Sequence, residues 1–198
     1  MADTVLLYIS TAADLAPERE VLGRAVTELP VTLGWRVVQT PRADESLDLA
    51  AAAQADVHLL LLGSDIRAPV GLEWIAARRA GCSTVFFLKK GASRTPAAQA
   101  FAHEVERQTS WRLFEDAADL RRQVLARLAG HLLARAEYYV LRPAEFEALR
   151  AWRDALEKAE PRPPDETRGG AGDSAVILSP ERFTPSDGVV ITSPGTPA

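Results

Sequence analysis

Five short runs of apolar residues alternate along the chain with segments in which apolar residues recur every three or four positions. The runs cover residues 5–9, 35–40, 57–62, 84–88 and 111–114, and most are apolar at nearly every position, as in parallel strands covered on both faces. The segments with helical spacing cover residues 14–29, 45–55, 71–80, 95–108 and 116–135, and Asp14 is predicted to cap the first of them. This alternation predicts an α/β fold with an open five-stranded parallel sheet of strand order 2-1-3-4-5.

A sixth helix is predicted over residues 144–158, where Phe146, Leu149, Trp152 and Leu156 form one apolar stripe. This stripe could pack back on the sheet domain or bind a helix of a partner. From residue 161 onward, 12 of 38 residues are Pro or Gly, a composition that predicts a disordered tail. The predicted organisation is therefore an α/β domain over 1–137, a helical extension over 138–160 and a tail over 161–198.

The tail contains an eight-residue repeat, D-x-x-V-I-x-S-P, at residues 173–180 and 187–194. Three consecutive apolar residues in each copy are typical of a peptide that adds as a strand to a partner's sheet. The sequence thus predicts partner binding through Val176, Ile177, Val190 and Ile191, with drift in a low-complexity tail as the alternative.

Charge and composition exclude several function classes. The formal net charge is −4, and the arginines between residues 107 and 153 are interleaved with acids, a pattern of solvated helix faces rather than of a nucleic-acid surface. One cysteine, Cys82, and three histidines in different predicted elements predict no metal site. No apolar run approaches membrane-spanning length and no leader peptide is recognised, so we expect a cytoplasmic protein without membrane contact.

Candidate ligand-binding residues follow the first and third predicted strands. Ser10 and Thr11 end the first, and Gly63 and Ser64 end the third, where doubly wound proteins bind ligands. The simpler alternative is that these residues only complete turns. The chain has neither a P-loop nor a G-x-G-x-x-G fingerprint, so no bound nucleotide cofactor is expected.

Glu73 is the candidate catalytic residue. It is predicted in the first turn of the third helix, where the helix dipole favours a carboxylate, and this structural role is one interpretation. In the other, Glu73 lies at the carboxyl edge of the sheet and stabilises an oxocarbenium ion or acts as a nucleophile in the cleavage of an N-glycosidic bond. The adjacent Trp74 is predicted to form an aromatic wall of the site or part of the core.

Four blocks of the chain resemble a TIR-like domain family of unknown function: YISTAADLAPERE, ADVHLLLLGS, GLEWIAARRAG and VFFLKKG. The first block is similar to that family's F-I-S-S-T-F-x-D-L-x-x-E-R signature, and the resemblance spans residues 4–135. It implies a flavodoxin-like sheet and a place in prokaryotic signalling or conflict systems. TIR relatives include adaptors and NAD-cleaving enzymes whose essential glutamate lies on the third helix, a position that matches Glu73.

Taken together, these features predict a cytosolic signalling or recruitment module of TIR-like type, in a conflict or defence system. A protein partner is expected, through the domain surface and the tail, and self-association is a further expectation. The alternative is a nucleotide N-glycohydrolase for which NAD is the substrate and Glu73 the central residue.

Overall fold

A parallel five-stranded sheet forms the centre of the computed structural model, which describes residues 4–41 and 45–158. The strand order is β2-β1-β3-β4-β5, as the alternating sequence pattern predicts. The strands are β1 (Thr4–Thr11), β2 (Gly34–Gln39), β3 (Val57–Leu62), β4 (Thr84–Lys89) and β5 (Arg112–Phe114). All four strand pairs are parallel, which makes this a flavodoxin-like α/β fold.

Helices cover both faces of the sheet. They are α1 (Ala16–Ala25), α2 (Leu49–Gln54), α3 (Ala68–Arg79), α4 (Pro96–Glu106), α5 (Ala117–Ala134) and α6 (Pro143–Lys158). Helix α3 ends before Gly81, whose φ of +77° suits the predicted helix-stopping position.

The two faces of the sheet differ in polarity. On one face, Leu7, Ile9 and Leu59 belong to a large apolar cluster together with residues of α1, α5 and α6. On the other face, under α2, α3 and α4, apolar side chains share the interior with polar ones, beginning with Tyr8 and His58, which face each other in adjacent strands. The polar groups that could carry chemistry inside the fold are therefore on the second face.

Helix α6 packs back on the domain, which settles the choice that the sequence left open. Leu149 is fully buried, and Trp152 and Leu156 pack against the apolar core. The buried residues of α5 provide the adjoining surface. The apolar stripe of α6 is thus a part of this core rather than a free surface.

Three predicted helix starts are wrong, and each changes the role of a polar residue. Asp14 does not cap α1, since the N-cap is Leu15 and no side chain caps the helix. Helix α2 begins at Leu49 rather than at residue 45, because Asp48 caps it by accepting a bond from the Ala51 N–H. Helix α3 begins at Ala68, so Glu73 lies beyond its first turn.

The chain divides into two units, Met1–Pro161 and Arg162–Ala198, and every element above belongs to the first. The predicted tail lies outside the described residues, together with its partner-binding candidates Val176, Ile177, Val190 and Ile191. Within residues 4–41 and 45–158, no helix is both long and apolar enough to cross a membrane.

Candidate functional site

Glu73 lies between α3 and the polar face of the sheet, and its side chain is fully buried. The sequence placed it at the open carboxyl edge of the sheet. Instead, the earlier start of α3 puts it in the second helical turn, where it points at β1. Helix-terminal partial charges therefore do not stabilise this carboxylate, because their effect is confined to the first turn.

Three hydroxyl groups donate hydrogen bonds to the Glu73 carboxylate. Tyr8 Oη donates to Oε1 at 2.9 Å, while Ser10 Oγ and Thr40 Oγ1 donate to Oε2 at 2.6 Å and 2.7 Å. All three donors come from β1 or from the residue that follows β2, and all are buried. A buried carboxylate needs such partners because its desolvation is otherwise very costly.

His58 and Thr84 extend this network across the next two strands. His58 Nε2 lies 2.8 Å from Ser10 Oγ, and His58 Nδ1 lies 2.9 Å from Thr84 Oγ1. Since the Ser10 proton goes to Glu73, the bond to His58 requires Nε2 to donate, so Thr84 donates to Nδ1. We call these six residues the Glu73 cluster: Tyr8, Ser10, Thr40, His58, Glu73 and Thr84.

Burial shifts the pKa values of this cluster toward neutral side chains. It raises the pKa of Glu73, although the bonds from Ser10, Thr40 and Tyr8 act in the opposite direction. Burial lowers the pKa of His58 to about 4, and it raises the pKa of Tyr8, with a further contribution from the charge of Glu73. At neutral pH, His58 is therefore uncharged.

Asp14, Gly63 and Ser64 meet at the carboxyl edge, apart from Glu73. The Asp14 carboxylate accepts from the backbone N–H and the hydroxyl of Ser64, both at 2.7 Å. A Cβ at position 63 would collide with Asp14 Oδ2, so a glycine is required there for this close approach. Asp14 thus links the segment that follows β1 to the segment that follows β3, and it does not cap a helix.

A cavity of about 460 Å³ opens at the same edge, beside Thr11 and Thr40, and we call it the carboxyl-edge cavity. Arg19 and Arg67 line it from the starts of α1 and α3, and Arg19 Nη1 donates to the Thr40 carbonyl at 3.1 Å. Thr40 therefore stands between this cavity and Glu73.

Trp74 belongs to the core. Its ring makes edge contacts with Phe86 and Phe101, at centroid distances of 6.0 and 5.3 Å. The side chain is only 8% exposed, so Trp74 contributes packing on the α4 side of α3.

Of the predicted site residues, the fold brings Ser10 and Glu73 into direct contact, whereas Thr11, Gly63, Ser64 and Trp74 lie outside the cluster. Sequence reasoning missed Tyr8, Thr40, His58 and Thr84. One signal was available, because His58 is the single polar residue in the otherwise apolar run VHLLLL. A polar residue buried within such a strand requires a partner.

No protein-family model, curated protein or solved structure matches this chain. Its function must therefore be inferred from the site and from the fold.

Proposed function

We propose that this chain is a cytoplasmic TIR-like signalling or recruitment module that acts through contacts with other proteins in a prokaryotic conflict or defence system. The flavodoxin-like sheet agrees with the fold that the resemblance implies. The observation that carries the choice between recruitment and catalysis is the burial of Glu73.

A glycohydrolase needs a carboxylate that touches the substrate, either as nucleophile or as stabiliser of the positive charge. The side chain of Glu73 is 0% exposed, and both of its oxygens accept bonds from hydroxyl groups of the protein. This arrangement favours a role in holding α3 on the sheet over a role in catalysis.

The outer surface of α3 supports a contact function. Leu72 and Ile75 are 47% and 40% exposed, and Leu49 on the adjoining α2 is 37% exposed. Large apolar side chains that share one exposed surface are typical of protein interaction sites. We assign self-association to this α2–α3 surface.

Analytical ultracentrifugation across a concentration series tests the assignment. We expect the wild type to associate as its concentration rises. The double variant L72D/I75D should remain monomeric, because association would remove the two new carboxylates from water. The matched control is L113D, since Leu113 is 50% exposed on the edge strand β5. A monomeric wild type, or an L72D/I75D variant that associates as before, would contradict the assignment.

The second candidate is NAD cleavage, and the carboxyl-edge cavity is the observation that favours it. Thr40 lines this cavity and also donates to Glu73, so a displacement of Thr40 would bring the carboxylate toward a substrate there. NAD consumption should be measured with the wild type and E73Q, each fused to an oligomerising tag. Our proposal predicts no consumption by either protein, whereas turnover that disappears in E73Q would favour the glycohydrolase.

A further inference from the structure

A second cavity, of about 590 Å³, lies at the opposite edge of the sheet, where β3, β4 and β5 begin. Val57 and Val85 form an apolar floor, and α5 and α6 form the walls. Its size is in the range of small-molecule sites. None of the predicted ligand-binding residues lines it.

Four arginines from three elements line this cavity, which we call the arginine cavity: Arg112, Arg122, Arg127 and Arg153. Two of them have acidic partners of their own. Arg122 pairs with Asp119 at 2.7 Å, and Arg153 pairs with Asp154 at 2.9 Å. The charges of these two guanidinium groups are therefore largely balanced.

Arg112 and Arg127 are not balanced in this way. Neither guanidinium group makes a hydrogen bond or an ion pair with another residue in the described part of the chain. The pKa of Arg112 is lowered, mainly by partial burial and also by the charge of Arg127 nearby. Two guanidinium groups without an acidic partner of their own therefore face one cavity.

Unsatisfied donors add to this charge. The Nε atoms of Arg122 and Arg153 are buried and have no hydrogen-bond acceptor. The lining also contains two carboxylates, of which Asp56 accepts from the Leu6 N–H at 2.8 Å and Glu157 lies 3.8 Å from Arg153 Nε. Buried donors without acceptors are rare in folded proteins, and Arg122 Nε is available to an acceptor that enters this cavity.

We propose that the arginine cavity binds a phosphorylated small molecule, with a phosphate held between Arg112 and Arg127 and an uncharged portion on Val57 and Val85. Guanidinium groups hold phosphate oxygens through paired, charge-assisted hydrogen bonds. The buried Nε atom of Arg122 supplies a further donor. This site is independent of whether the domain recruits partners or cleaves NAD.

Thermal unfolding of the full chain with three probes tests the proposal. Pyrophosphate and ADP should each raise the Tm above that in sodium chloride of equal ionic strength, by about 3 °C at ten times the Kd. Adenosine, which lacks phosphate, should leave the Tm unchanged. The absence of any rise with pyrophosphate beyond the salt control would overturn the proposal.

Two variants locate the effect. R112Q/R127Q should lose the pyrophosphate shift, and its Tm without probe should stay level or rise because a repulsion is removed. The matched control R79Q, on an exposed arginine of α3, should keep the shift. A shift that persists in R112Q/R127Q would overturn the proposal.

If the double variant does not fold, titration calorimetry of pyrophosphate on R127Q replaces it, because Arg127 is exposed on α5. We expect one site per chain in the wild type and about tenfold weaker binding in R127Q. Equal affinities of the two proteins would overturn the proposal.

Discussion

Glu73 and the Arg112–Arg127 pair are ionisable groups that differ in the partners that the domain provides for them. The Glu73 carboxylate is fully buried and accepts from three hydroxyl groups that the protein itself provides. Arg112 and Arg127 stand at a cavity, and neither has an acidic partner among the described residues. Glu73 has all its partners inside the fold, whereas the two guanidinium groups have no acidic partner within it.

This difference separates a structural role from a binding role. A side chain whose hydrogen-bond partners are all internal contributes to the stability of the native state, and its removal leaves those partners unsatisfied. Charges without partners reduce stability, and proteins retain such arrangements at sites of function. The sign of the change in the free energy of unfolding when the side chain is replaced therefore distinguishes the two roles in both regions.

The largest effect is expected at Glu73. In E73A, three buried hydroxyl groups lose their acceptor, so the free energy of unfolding should fall by about 4 kcal/mol. E73Q keeps one oxygen acceptor and about the same volume, so its loss should be about 1 kcal/mol. Urea denaturation measures both, with E106A on the exposed side of α4 as the control. Equal losses in E73A and E106A would mean that the cluster contributes nothing to stability.

The next effect concerns His58 and depends on pH. Its folded-state pKa of about 4 lies below the ordinary 6.5, so its contribution to stability is present above pH 6.5 and is lost as the pH falls through 4. The wild type should therefore lose about 3 kcal/mol more than H58Q over this window. Glu73 acts in the opposite sense. Its raised pKa gives a contribution that is present below 4.5 and is lost as the pH rises through the folded-state value.

Urea denaturation of the wild type and H58Q at several pH values isolates the histidine, because Glu73 is present in both proteins. Parallel pH profiles of the two proteins would show that His58 is not the group responsible.

A smaller loss of stability is expected at Glu18, a buried carboxylate with one charged partner. Glu18 is buried, and Lys89 Nζ contacts its Oε1 at 2.7 Å. K89M should cost about 2 kcal/mol, because a buried carboxylate loses its ion pair. K90M is the neighbouring control and should cost much less, because Lys90 and Glu115 are both exposed. Equal Tm values of the two variants would contradict this ranking.

The smallest effect is expected from removal of residues 161–198. The apolar core of the described residues is completed by Leu149, Trp152 and Leu156 of α6. Truncation after Glu160 should therefore leave the Tm nearly unchanged, and it should also leave the pyrophosphate shift unchanged. A large fall in the Tm would show that the removed segment contributes to the fold, and a larger shift would show that its acids compete for the arginine cavity.

The sheet could be predicted from the sequence because its strands are mostly apolar and alternate with segments of helical spacing. The position of Glu73 could not, since it depends on where α3 begins. The segment Arg67-Ala-Pro-Val gives no capping signal, and Arg67 caps the helix without a side-chain bond. The sequence therefore indicated the residue but placed its carboxylate at the edge of the sheet rather than beneath it.

The partners of Glu73 were missed for a related reason. Tyr8, Thr40 and His58 lie in three strand regions, and only the register of β1 against β2 and β3 brings them together. The arginine cavity could not be predicted, because Arg112, Arg127 and Arg153 lie in three different elements. Their sequence region has the charge pattern of solvated helix faces. Local spacing contains no information on which of these side chains share a cavity.

The most direct test of this account measures the unfolding free energies of E73A and R112Q/R127Q side by side in urea, at neutral pH and without added phosphate. The account predicts opposite signs relative to the wild type, with a large loss in E73A and either no change or a gain in R112Q/R127Q. Losses of similar size in both variants would contradict it, because the arginines would then be as structural as Glu73.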